Sequence, residues 1–231
     1  MDQLKNVGVA ISTTPKRKKV WDKLKENFKE FMPEDAIFDF RVDEKYKGVA
    51  FSKNASLRKL YDAGCENFYL FDDDVWLKRK GFFHWVYRVH KASDIHHFCY
   101  MNTNLKHHKE LQALQFGNHR VQITNGLSGC FLYLTREALD RAGGYDLDFK
   151  GYGYNHIEFT GRINAHFNRQ PNHYTTIKDM DKFLHSQDFD GPVKGIRKTQ
   201  TLTRKQKQPH IERNKAIFDE KRKNLLRKVE F

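Results

Sequence analysis

The sequence predicts one α/β domain built on a mostly parallel sheet with helices on both faces, followed by a basic helical extension. Three observations carry that prediction. Short β-branched or apolar runs alternate with amphipathic stretches from residue 6 onward; one apolar run, Phe68 to Phe71, stops abruptly at three aspartates; and the basic charge is concentrated after residue 193. With 231 residues, 39% of them hydrophobic, the chain is long enough to bury a substantial core.

The elements follow in order. Residues 6 to 12 (NVGVAIS) read as a buried first strand that runs into Thr13, Thr14 and Pro15. Val20, Leu24, Phe28 and Phe31 then recur at three and four residues, the spacing of one helix face. A second strand is expected at 37 to 42, closing on Asp43, and a helix at 53 to 64 that ends at Gly64. The run 68 to 71 makes a third strand. Strand, helix, strand, helix, strand implies right-handed crossovers, and ligands bind beyond the carboxyl ends of such strands. Thr13 and Thr14, Asp43, and the Asp72 to Asp74 triplet all fall at such ends.

Residues 82 to 92 form an aromatic helix or strand, 95 to 101 a strand, and 104 to 120, with His107, His108 and His119, an irregular or helical stretch. GLSGCFLYLT reads as a buried strand from Gly126, REALDRAGG as a short helix stopped by glycines, and the glycine-rich segment after it opens a helix with Ile157, Gly161 and Ala165 on one face. After Gly195 the composition becomes that of a linker, and 210 to 228 regains helical spacing through Ile211, Phe218 and Leu225. The expected division is therefore a domain over 1–193 and a basic linker with its helix over 194–231.

Charge and cysteine content narrow the function classes. The net charge is +13, and residues 194 to 231 hold 13 basic against 4 acidic side chains. Such a tail suits nucleic acid, an anionic membrane surface or an acidic polymer, and equally a solvated helix face that packs back on its own domain. Cys65, Cys99 and Cys130 are odd in number and widely spaced, which fits a reducing cytoplasm rather than a disulfide framework. No charged leader precedes a long apolar stretch and no run of about 18 apolar residues occurs. The expectation is a cytoplasmic chain without a membrane span.

Three adjacent carboxylates raise one another's pKa and invite a cation. Hard oxygen donors favour Mg2+ or Mn2+, ions that bridge carboxylates to phosphates and act as Lewis acids toward a departing diphosphate. A solvated acidic turn is the alternative use of the same residues.

In VAISTTPKR, FSKNASLRKLYDAG, YLFDDDVWL and GCFLYLTREALDRAGGYDLDFKGYGYNHIEFTGRI, taken in that order, the chain resembles the GT-A glycosyltransferases, in particular the family 2 and galactosyltransferase-like branches, over roughly residues 6 to 167. The resemblance implies a Rossmann-like fold, a DxD motif, a divalent metal and a nucleotide-sugar donor, expected to be a UDP-sugar. It places Thr13 and Asp43 at the nucleoside, Lys53 and Asn54 near base or phosphates, Asp72 at the ribose and on the metal, Asp74 on the metal, alone or with Asp73, itself counted among the donor-binding residues, and His185 as a late ligand. Where relatives carry a Glu-Asp pair this chain has Asn155 and His156, with Glu158 two positions on. His156 is the first choice for the base that takes the acceptor's proton and Glu158 the second, histidine being suited to that task near neutrality.

The acceptor reading favours a hydroxymethylated or sugar-modified DNA base, as some small phage-encoded members of the resembled family use. A cell-surface polysaccharide or lipid-linked sugar is the alternative, with the tail in peripheral contact with membrane. A metal-dependent nuclease and a nucleic-acid-binding module are the readings from other classes.

Overall fold

A computed structural model describes residues 4–101, 109–188, 190–193 and 203–231. His107 and His108 lie outside the described residues, as does most of the expected linker. The central sheet has five strands, β1 (Val7–Thr13), β2 (Ile37–Val42), β3 (Asn67–Asp72), β8 (Ser128–Thr135) and β5 (His97–Tyr100), in the order β2-β1-β3-β8-β5. The first three are parallel, β8 is antiparallel to β3, and β5 is antiparallel to β8, so four of the five point the same way. The expected mostly parallel α/β architecture is what the chain adopts.

Side-chain alternation along these strands sorts the core into two layers. Val7, Val9, Ile11, Tyr69, Phe71, Phe131 and Tyr133 pack with Val20, Leu24 and Phe28 of α1 (Lys18–Phe31) and with Phe82, Phe83, Val86 and Val89 of α3 (Phe82–Ser93). On the opposite face Ala10, Phe68, Leu70, Leu132 and Leu134 meet α2 (Val49–Asp62), α4 (Arg136–Ala142) and α5 (Asn155–His166). Burying each such side chain contributes about 1.5–3 kcal/mol, which fixes the strand register and with it the level at which every strand ends.

Several expectations are corrected. Helix α2 begins at Val49, ahead of the expected residue 53, because Gly48 at φ +106° breaks the chain there; buried Ser52, Lys53, Asn54 and Ser56 interrupt the apolar stripe that would have marked it. Residues 110 to 124 form an antiparallel hairpin, β6 (Glu110–Phe116) and β7 (His119–Thr124), rather than an irregular or helical stretch. Three short strands were not foreseen: β4 (Val75–Leu77), β9 (Tyr174–Ile177), which pairs with β7, and β10 (Leu184–Ser186), which pairs with β4. In α5 the buried positions include Glu158, Phe159, Arg162 and Ile163, while Ile157 and Ala165 are only partly covered.

The terminal helix α6 spans Arg204–Lys221, opened by a capping box between Thr203 and Gln206. It packs back on the domain. Buried Asn214 donates to the carbonyls of Lys150, Tyr152 and Gly153, and the chain beyond the helix forms a bridge between Val229 and Gly143. Its basic side chains are partly consumed there: Lys221 pairs with Asp146 and Asp148, and Arg227 with Asp146 and Glu158. No helix among the described residues is long and apolar enough to cross a membrane.

Candidate active site at the carboxyl edge of the sheet

Parallel pairing in register puts the ends of β1 and β3 side by side, with Ser12 opposite Asp72. The antiparallel β8 enters at the same level, Phe131 opposite Phe71, so Ser128, Gly129 and Cys130 border the triplet. Strand β10 closes the other side, where the Gln187 N–H donates to the Asp74 carbonyl at 2.9 Å. The glycine-rich loop before α5 approaches the loop after β2, where a Cβ on Gly48 would lie 3.6 Å from the Gly151 nitrogen.

The three aspartates have separate environments. Burial pushes the Asp72 carboxyl up, but the Lys53 ammonium at 2.8 Å, aided by His156 and Arg17, holds it below the usual range. Asp73 faces inward, accepts from the Thr13 hydroxyl and pairs with Arg17 at 3.1 Å; burial nevertheless lifts it to about 6. Asp74 is lifted furthest, to about 7, first by burial and then by the charges of Asp72 and Asp188. Asp74 Oδ1 is buried without a hydrogen-bond partner among the described residues, as are hydroxyls of Ser12, Thr14 and Ser128 and the side-chain nitrogen of Gln187. Leaving a buried polar atom unpaired costs about 1–3 kcal/mol, so the gathering of such atoms at one strand edge makes it a candidate place for a ligand or ordered water.

His156 stands at the first turn of α5, after Tyr154 in a left-handed conformation at φ +65°. Its imidazole lies over Gly129, in space that a Cβ on residue 129 would occupy, and its Nδ1 is 3.2 Å from the Tyr145 hydroxyl. Burial and the Lys53 charge push it down to about 3, against the attraction of Asp72, so the ring is neutral at physiological pH. Lys53 Nζ is itself fixed from two sides, by Asp72 and by the Gly129 carbonyl at 3.4 Å. Lys53, Asp72, Gly129, Tyr145 and His156 thus form one connected group.

Other expected site residues are placed elsewhere or are engaged. Glu158 is fully buried between Arg162 and Arg227, and Arg162 also donates to the carbonyls of Ala142 and Gly144; it anchors the C-terminal segment rather than facing the edge. Asn54 exchanges two hydrogen bonds with the backbone of Tyr145, at 2.8 and 2.7 Å, and therefore positions the turn after α4 instead of presenting its amide. The Asp43 carboxylate accepts from the N–H groups of Lys47 and Gly48 and shapes the loop before α2. Thr13 is occupied by Asp73 and by the Trp21 indole at 3.1 Å. His185 lies opposite Trp76 on β10, and its Nε2 is 2.9 Å from the Gly191 carbonyl. A carbonyl only accepts, so Nε2 is the donor in this hydrogen bond.

No group of three His, Cys, Asp or Glu side chains converges as a ready metal cage among the described residues. The donors fit a weaker arrangement. Asp72 and Asp74 are hard oxygens, Asp74 carries an orphaned buried oxygen, and a Mg2+ or Mn2+ ion held by one or two carboxylates completes its shell with phosphates and water. Sequence reasoning did not single out Arg17, Gly129, Tyr145 or Asp188. Arg17 was visible in TTPKR and Gly129 in LSGC, but only the ion pair with Asp73 and the register of β8 against β3 show what they border.

No family model and no curated protein matches the sequence. Solved structures that align with it include A197 from STIV, at 14% identity and a TM-score of 0.37 over 58% of this chain and 68% of that one. A glycosyltransferase involved in glycosylation of the major capsid of PBCV-1 aligns at 13% identity and 0.39, over 57% of this chain and 61% of its own. A Drosophila β1,4-galactosyltransferase 7 mutant in complex with manganese, UDP-Gal and xylobiose aligns at 12% identity and 0.39, over 88% and 79%. Similarity of this degree carries no argument about this chain, and the reading of the site rests on its own residues.

Proposed function

We propose that this protein is a metal-dependent glycosyltransferase that moves a sugar from a nucleotide-sugar donor, a UDP-sugar, to a hydroxyl acceptor. The observation that carries the reading is the acidic edge itself: a buried, unsatisfied Asp74 beside an Asp72 held ionised by Lys53, at the carboxyl ends of parallel strands. The ordered resemblance over residues 6 to 167 supports it.

Asp74 and Asp72 would hold Mn2+ or Mg2+, and His185, the expected late ligand, does not converge with them as a third ligand among the described residues. When bound, the ion supplies Lewis-acid stabilisation of the charge that grows on the departing diphosphate. Lys53 adds a fixed positive charge on the same side, pre-oriented by Asp72 and the Gly129 carbonyl. Arg17 and Thr13 keep Asp73 turned inward and set the backbone between the two ligating aspartates.

His156 takes the proton from the acceptor hydroxyl as the new glycosidic bond forms. Its ring is already in the neutral form that a base requires, Tyr145 orients it through Nδ1, and the negative charge of Asp72 favours the imidazolium. Burial depresses the imidazole most and the Lys53 charge second; a bound diphosphate would offset the second, raising the pKa. Glu158 has no part in this step.

The test is release of UDP from a UDP-sugar in the presence of Mn2+. Wild type is expected to turn over the donor and Asp74→Ala to lose at least about 100-fold while keeping its circular dichroism spectrum. Full activity in Asp74→Ala would overturn the assigned site.

A further inference from the structure

Three large aromatic side chains stand exposed on the loops around this site. Tyr46 is 55% exposed, Phe51 39% and Tyr152 45%. Tyr46 belongs to the turn between β2 and α2, Phe51 to the first turn of α2, and Tyr152 to the glycine-rich loop before His156. The two loops touch, since a Cβ on Gly48 would lie 3.6 Å from the Gly151 nitrogen. Tyr46 sits at φ +52°, a left-handed conformation costly for an aromatic residue, and it is retained although the ring buries little apolar surface in return.

Each ring carries its own ammonium. Lys16 lies over Tyr46 at 5.5 Å, Lys47 over Phe51 at 4.1 Å and Lys207 over Tyr152 at 4.1 Å. These lysines come from three separate places in the chain, the loop after β1, the loop after β2 and the start of α6. None has a carboxylate in ion-pair contact among the described residues; of the two acids in the turn, Asp43 is held by backbone N–H groups and Glu44 is exposed beside Lys45.

We infer that this rim is the acceptor surface and that it fits a single-stranded nucleic acid. Exposed rings interleaved with cations are what an unpaired strand requires: a base stacks on each ring, and the displaced or adjacent ammonium meets the backbone phosphate. An uncharged glycan would use the rings and leave three ammonium groups without a counter-charge. The inference rests on the transferase reading for the word acceptor, and the binding surface stands apart from it.

The test is fluorescence anisotropy with a labelled single-stranded DNA oligonucleotide on the full chain, together with UDP binding in Mn2+ on the same samples. The variants are Tyr46→Ala, Phe51→Ala and Tyr152→Ala combined, and Lys16→Gln, Lys47→Gln and Lys207→Gln combined. Loss of the rings is expected to weaken oligonucleotide binding by about fivefold or more per ring, with UDP binding and melting temperature unchanged. Loss of the lysines is expected to lower the slope of log affinity against log salt by about 2. Wild-type affinity in the ring variant, joint loss of UDP binding, or stronger ring-dependent binding of an acidic oligosaccharide than of DNA would each overturn the proposal. Ring-dependent DNA binding by a protein that ignores UDP would leave the surface standing and remove the transferase reading.

Discussion

The imidazole of His156 occupies the volume that the side chain of any residue but glycine would take at position 129, so the start of α5 and the start of β8 are fitted to one another. Gly129→Ala must therefore displace the ring or the strand. We expect UDP binding within about threefold of wild type and a fall in transfer of at least about tenfold, since misplacing a reacting group by an ångström costs up to about 100-fold. Unchanged turnover in Gly129→Ala would remove His156 from the reaction.

Asp74 sets a pH dependence whose sign follows from its raised pKa. The group goes from 3.8 to about 7 on folding, so the unfolded chain releases this proton first. Its contribution favours the fold below about pH 4 and is lost as pH rises through about 7. Asp74→Asn removes the buried charge and should raise the melting temperature of the metal-free protein at about pH 8, by about 1–3 kcal/mol of stability, while abolishing metal-dependent UDP binding. A lower melting temperature at that pH would contradict this assignment.

The same titration predicts that Mn2+-dependent UDP affinity rises with pH up to about 7 and then levels, because the ion competes with the Asp74 proton. His156, pushed down to about 3, contributes no step between pH 5 and 8 in the donor-free protein. Calorimetry across that range checks both statements.

Glu158→Ala should act on stability. It leaves fully buried Arg162 and partly buried Arg227 without their shared carboxylate, a loss of about 3–5 kcal/mol. A normally stable but inactive Glu158→Ala would restore this residue to the list of bases.

The centre of the sheet was legible because β1, β3 and β8 are buried on both faces and read as near-continuous apolar runs, each ending in a polar residue, whereas edge strand β2 is half-buried. The triplet was conspicuous in the sequence because it stands at such an end, while Lys53 in α2 and His156 in α5 were expected only from the resemblance. The hairpin was not: every residue of β6 is exposed or half-buried, which erases the alternation that marks a strand, and the Gly117-Asn118 turn was its only signal. Asp43, Asn54 and Glu158 show the limit of reading side-chain types. Each carries functional groups suited to a site, and each spends them on backbone N–H groups, a peptide unit or two guanidiniums that only the folded chain brings near. The basic tail was read by its charge, whereas Lys221 and Arg227 face inward on Asp146 and Glu158.

Calorimetric titration of the protein with UDP, with and without Mn2+, tests the central claim most directly. The acidic edge predicts saturable binding with the metal and little or none without it. Equal binding in both conditions, or none with Mn2+ present, would contradict a metal-dependent nucleotide-sugar site at Asp72 and Asp74.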